Sequence, residues 1–157
     1  MPDVNPDDSR PAPLWRRLAA ASYDALVVLG LWFIATAVAM PVARGAITPD
    51  HPLAELLYRL YILAVGFLFF GGFWVRNGQT LGMLAWRVKL VDARTGGSVR
   101  WGQALIRYLA AYLSWAALGL GFWWSLWDPE KKTWHDRLSG TVLRPAPSFA
   151  EISNPKN

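Results

Sequence analysis

The sequence predicts an all-α integral membrane protein, a small transmembrane helix bundle with a short cytoplasmic β-hairpin. Two observations carry this. Apolar residues make up 54% of the 157-residue chain and charged residues only 17%, against about 45–50% and about a quarter in soluble domains. The apolar residues are also clumped: no charge occurs from Ala25 to Ala43, from Leu60 to Val75, or from Tyr108 to Trp127. Crossing about 30 Å of hydrocarbon at 1.5 Å per helical residue takes about 20 such residues. The rest of so short a chain has too few polar residues to cover three stretches of that kind in water.

The spans are expected at 18–43, 53–75 and 103–127. Several of the ten Trp residues, among them Trp15, Trp74, Trp101, Trp123, Trp124 and Trp127, fall at their ends, where amphipathic rings favour the headgroup level. Residues 1–13 and 146–157 read as disordered tails, and 14–145 as the transmembrane domain. Arg16-Arg17, the apolar run and Ala37-Val38-Ala39 loosely resemble a cleaved twin-arginine leader. Asp24 interrupts that run, and an uncleaved anchor is the expected outcome. Loop 44–52, with Gly45, Pro49 and Pro52, is a short connection. Arg59 near the start of span two can extend its charge to the interface.

Segment 76–102 differs in kind. Trp86, Val88 and Leu90 alternate with Arg87 and Lys89, Thr95-Gly96-Gly97 supplies a turn, and Ser98–Trp101 alternates again. This pattern predicts a hairpin over 84–101. Its basic residues (Arg76, Arg87, Lys89, Arg94, Arg100) place it in the cytoplasm, with the N-terminus on the same side and loop 44–52 outside. A single crossing by 103–127 would then put Lys131, Lys132, Arg137 and Arg144 outside, against the charge rule. Either the rule is broken, or the third span is kinked or re-entrant and turns back near Gly119–Gly121. The return is favoured, because Thr141–Arg144 is strand-like and can join the hairpin only from its own side.

The ionisable residues inside apolar segments are the candidate site. Arg17 and Asp24 lie seven residues apart, on one helix face and about 10 Å from each other. A carboxylate facing lipid costs about 2.5–3.5 kcal/mol at mid-membrane. Asp24 is therefore expected to face the interior and pair with Arg17 or Arg107. Asp136, in Thr133-Trp134-His135-Asp136-Arg137-Leu138-Ser139-Gly140-Thr141, is expected to cap a helical turn or to pair with Arg137 or a hairpin arginine. His135 can titrate near neutral pH, in what reads as a surface turn beside Trp134.

With Arg17 and Asp24 in the first span, Gly78-Gln79-Thr80-Leu81-Gly82 before the hairpin, and Trp134–Thr141, the chain resembles the RDD family of mainly bacterial membrane proteins. That family is named for one arginine and two aspartates, here Arg17, Asp24 and Asp136. Met83 departs from the pattern, standing where a Lys or Arg is expected. The resemblance implies a multi-pass protein of the bacterial inner membrane, for which transport of small ligands, or cation/proton exchange, has been suggested.

No phosphate loop, nucleophile elbow or catalytic carboxylate pair is present, so no enzyme activity is expected. With no cysteine and two isolated histidines, neither a metal site nor a cofactor is expected. The net charge of +5 reads as topology and anionic-lipid attraction rather than nucleic-acid binding. Two functions remain. One is a small transporter subunit, needing a homo-oligomer because three spans are few for a path. The other is a non-catalytic scaffold or assembly partner of another membrane protein.

Overall fold

Helices α1 (Leu14–Ala43) and α2 (Pro52–Arg76) form the first two apolar segments of the computed structural model, which describes residues 11–43, 50–117 and 119–146. The expected loop 44–52 lies mostly outside these residues, as do most of both expected tails. Pro52 opens α2, where its missing N–H costs no helical bond. The two helices run antiparallel: Trp32 Nε1 donates to the Ile62 carbonyl (3.1 Å), and the Thr36 and Tyr58 hydroxyls meet at 2.7 Å. Both have length and hydropathy enough to cross a membrane. Their outward residues, such as Phe33 (77% exposed) and Leu26 (69%), would be a large liability in water and suit lipid. The chain is a small helical membrane protein.

Short helix α3 (Leu81–Ala85) follows α2, capped by Thr80, whose hydroxyl accepts the Met83 N–H (3.3 Å). Strand β1 (Val88–Asp92) then pairs antiparallel with β2 (Thr141–Pro145), placing Leu90 opposite Leu143 and Asp92 opposite Thr141. The two-stranded sheet is therefore present, but the expected hairpin over 84–101 is not. The local turn does form, with Asp92 Oδ1 accepting the N–H groups of Arg94 and Thr95 (2.9 Å each). Beyond it the backbone leads into a helix instead of a strand. Asp92 Oδ2 takes the Gln103 side chain (2.7 Å), Gln103 Oε1 takes the Arg100 N–H (3.0 Å), and α4 (Trp101–Ala116) begins. The alternation at 98–101 reflects one buried residue, Val99, between exposed neighbours.

The third apolar segment is broken. Helix α4 ends near Ala117, and α5 (Leu120–Trp127) leaves it at 96°. Gly119 makes the corner with φ +77, a left-handed conformation that a side chain would strain. Helix α5 folds against α4: a Cβ on Gly121 would come within 2.3 Å of Ser114 Oγ. Helix α6 (Trp134–Ser139) packs on α4 and delivers the chain into β2. The end of the domain thus returns to its beginning. The Ala12 N–H donates to the Leu143 carbonyl (2.7 Å), and Ala12 is buried, so residue 12 belongs to the folded domain and not to the tail expected over 1–13. Val88, Leu90, Val99, Ala104 and Leu143 form the core of this end, with Trp74 and Met83. Trp74, expected at the headgroups, faces inward.

The chain has no cysteine, which makes the return directly testable. In sealed vesicles, Thr95→Cys and Glu130→Cys should react with an impermeant maleimide from one side, and His51→Cys from the other. Labelling of Glu130→Cys together with His51→Cys would mean that α4 and α5 make a single crossing.

Candidate functional site

The cluster of buried charges is built from α6 outward. Thr133 and Asp136 form a reciprocal capping box: the Thr133 hydroxyl accepts the Asp136 N–H (3.3 Å), and Asp136 Oδ2 accepts the Thr133 N–H (3.0 Å). This fixes the carboxylate at the start of α6, facing inward. Oδ2 also accepts Arg17 Nη1 from α1 (3.1 Å), and Oδ1 accepts Arg107 Nη1 from α4 (2.6 Å). Arg107 donates further to Thr141 Oγ1 at the start of β2 (2.9 Å), and its guanidinium lies 5.6 Å from the Trp74 ring centroid. Arg17 Nε donates to the Ala12 carbonyl (2.7 Å). All three charged side chains are almost fully buried. Of the alternatives expected for Asp136 the helix cap is present, whereas Arg137 pairs instead with Asp128.

Burial alone would raise the Asp136 pKa, but Arg107, Arg17 and the cap N–H outweigh it and hold the carboxyl well below the usual range. His135 is buried rather than at the surface, its ring 4.8 Å from that of Phe122. Burial, reinforced by Arg107, lowers its pKa to about 3. The imidazole is thus neutral at pH 7, and the cluster sets two guanidiniums against one carboxylate. Arg17 Nη2 and His135 Nδ1 are buried without a hydrogen-bond partner among the described residues.

Asp24 is placed differently from expectation. It is buried, yet no arginine among the described residues pairs with it. The Thr80 hydroxyl donates to Oδ2, and the Gly82 N–H donates to Oδ1 (2.8 Å). The Gly78–Gly82 run brings α3 close enough to α1 for this: a Cβ on Gly82 would lie 2.3 Å from the Ala20 carbonyl oxygen. A main-chain amide therefore does what a cation was expected to do. Thr80, Thr133, Thr141 and Trp74 complete the site. Of these, only Thr133 had a readable signal, the capping pattern Thr133-Trp134-His135-Asp136.

Above the cluster is a cavity of about 500 Å³. Helices α1 and α4 both pack on α2, and the cavity lies between them. Ala20, Val28 and Trp32 of α1 face Tyr108, Ala111, Tyr112 and Trp115 of α4 across it. Arg17, Asp24, Arg107 and His135 contribute its polar lining.

Apolar span-length helices over a buried Arg–Asp–Arg cluster define a small helical membrane protein with a charged core at one end. Residues 11–140 match the RDD family, and the chain belongs to that family. It is 33% identical over 92 residues to an uncharacterised protein of Rickettsia prowazekii (strain Madrid E), covering 56% of this chain and 51% of that one. It is 28% identical over 69 residues to a proline-rich antigen of Mycobacterium leprae (strain TN), covering 44% and 28% respectively. The chain thus spans about half the length of the first relative and less than a third of the second. No solved structure matches it.

Two stability predictions follow from this geometry. Asp136→Asn strands two buried guanidiniums and should cost about 3–5 kcal/mol. Adding Arg17→Gln should recover part of that loss, whereas Asp24→Asn combined with Arg17→Gln should be additive. Unfolding in detergent measures both, and additivity of Asp136 with Arg17 would contradict the cluster.

The second concerns pH. A folded His135 pKa below its unfolded value means that the unfolded chain binds the proton more readily. The stability is complete above about pH 6.5 and is lost as pH falls from there towards 3. His135→Phe should flatten that decline. An unchanged slope would mean that His135 is not the group responsible.

Proposed function

We propose that this chain is a small-ligand-binding subunit of a transport system, with its ligand held in the cavity between α1 and α4. The observation that carries the reading is the cavity itself. Its volume of about 500 Å³ falls among those of ligand pockets, about 300–1,000 Å³, and its walls are apolar with a few convergent polar groups. A bundle this small cannot enclose a path across the bilayer alone, so a homo-oligomer or a larger membrane partner would complete it. The sheet end, rich in Lys and Arg, would face the cytoplasm of a bacterial cell, with the chain multi-pass in the inner membrane. No chemical reaction and no cofactor are part of the proposal.

Cation/proton exchange is the narrower version, and Asp24 its natural carboxylate. Both Asp24 oxygens already accept hydrogen bonds, and no three His, Asp or Glu side chains converge on an ion site among the described residues. Exchange would therefore require Asp24 to release Thr80 and Gly82. Vesicles holding a pH dye and challenged with Na⁺, then K⁺, test this. Undiminished flux from Asp24→Asn would remove Asp24 from any such mechanism.

Ala111→Trp tests the broader reading by filling the cavity. Native mass spectrometry of the purified unmodified chain should show a retained small-molecule adduct that Ala111→Trp lacks, with both proteins folded. A chain carrying no adduct, in which the filled cavity changes nothing, would favour the scaffold reading instead.

A further inference from the structure

Three features of the charged end remain unused by its architecture. Arg17 is buried (3% exposed), lines the cavity, and leaves Nη2 without a partner among the described residues. Among the described residues the cluster is short of one negative charge, since Asp136 faces both Arg17 and Arg107 and His135 is neutral. The cavity above is walled by aromatic and aliphatic side chains of α1 and α4, with almost no polar group beyond its charged end.

We infer that the cavity takes an amphiphile with an anionic head, a carboxylate or phosphate, whose head pairs with Arg17 and whose single apolar chain lies along Val28, Trp32, Tyr112 and Trp115. This deepens the ligand-binding reading and rests on it. A guanidinium is suited to the task because it presents several donors in a fixed plane. Nη1 can hold Asp136 while Nη2 holds a second oxyanion. Asp24 is the anion nearest along α1, about 10 Å away by helical rise. Its oxygens are turned to Thr80 and Gly82, so it does not supply the missing partner.

The apolar wall selects against a free inorganic anion. Such an ion would lose its hydration to an aromatic surface that returns nothing. An acyl chain gains from the same surface. The Nη2 atom is closed off from water, so the head enters by displacing a neighbouring side chain. Met83 lines the cavity and, being unbranched and flexible, is a side chain able to yield. The nature of the head can come from two sources, a free fatty acid or an anionic single-chain phospholipid, and the chemistry at Arg17 is the same for both.

The experiment holds the tail constant and varies the head. The full chain, purified in mild detergent and stripped of lipid, is titrated with palmitate, palmitoyl lysophosphatidylglycerol, palmitoyl lysophosphatidylcholine, hexadecanol and inorganic phosphate. Thermal stabilisation is read against concentration. At least one of the two net-anionic amphiphiles should bind tenfold or more tightly than hexadecanol and the zwitterionic lipid, and phosphate should neither bind nor compete. Whichever anionic amphiphile wins identifies the source. Arg17→Gln leaves a balanced Arg107–Asp136 pair, so it should fold and bind palmitate and hexadecanol alike. Ala111→Trp leaves the charges alone and should weaken every tailed compound. Where Arg17→Gln fails to fold, the head series on the unmodified chain and Ala111→Trp still decide. Equal affinity for palmitate and hexadecanol in the unmodified chain overturns the anionic-head inference and leaves the cavity reading standing. No binding by any tailed compound overturns both.

Discussion

The domain depends on one carboxylate. Asp136 gathers hydrogen bonds from α1 through Arg17, from α4 through Arg107, and from its own helix cap through Thr133. Arg107 extends the network to Thr141, where β2 begins. Charges buried this deeply are tolerated only where each has a partner, because the interior gives no water to substitute for one. The requirement has a consequence for topology. Arg107 sits in the first half of α4, so α6 must return to that level for Asp136 to reach it. The 96° break before α5 and the close contact of Gly121 with Ser114 begin that return, which α6 completes.

Much of this was legible from the chain. The expected spans 18–43, 53–75 and 103–127 fall within a few residues of the ends of α1, α2 and the broken third segment, because hydrocarbon thickness sets a length that few other structures require. The return of the chain to the level of β1, seen in the pairing of β1 with β2, was expected too, from the positions of Lys131, Lys132, Arg137 and Arg144. Strand pairing was not legible. Period-two alternation at 86–90 marks a strand but carries no information on its partner, and Thr141–Pro145 matched it as well as Ser98–Trp101 did. The turn at Asp92 is real, yet Gln103 draws the following residues into a helix cap.

The partner of Asp24 was hidden for a different reason. Opposite charges are visible in a sequence, so Arg17 and Arg107 were natural choices. A main-chain N–H belongs to nearly every residue and marks none. What exposes Gly82 to Asp24 is the absence of a side chain at a place where α3 nearly touches α1. Both helices are thereby joined near the charged end, while Trp32 and Thr36 secure the far part of α1 to α2. The wall of α1 that faces the cavity is held at both ends, to α3 through Gly82 and to α2 through Trp32 and Thr36. The separation of these attachments leaves room for the cavity.

The cluster is also an uneconomical way to hold helices together. Arg107 and Asp136 alone would join α4 to α6 with balanced charge, and apolar side chains of similar volume often stabilise a buried site as well as ions do. Arg17 adds a second buried cation, and only one of its two terminal nitrogens finds a partner among the described residues. Departures from the most stable arrangement concentrate where a protein binds or reacts rather than where it merely packs. The surplus guanidinium therefore makes better physical sense as half of an interaction than as a strut. On the proposed reading its other half is an anion, and the aromatic wall beside it suits one that brings its own apolar chain.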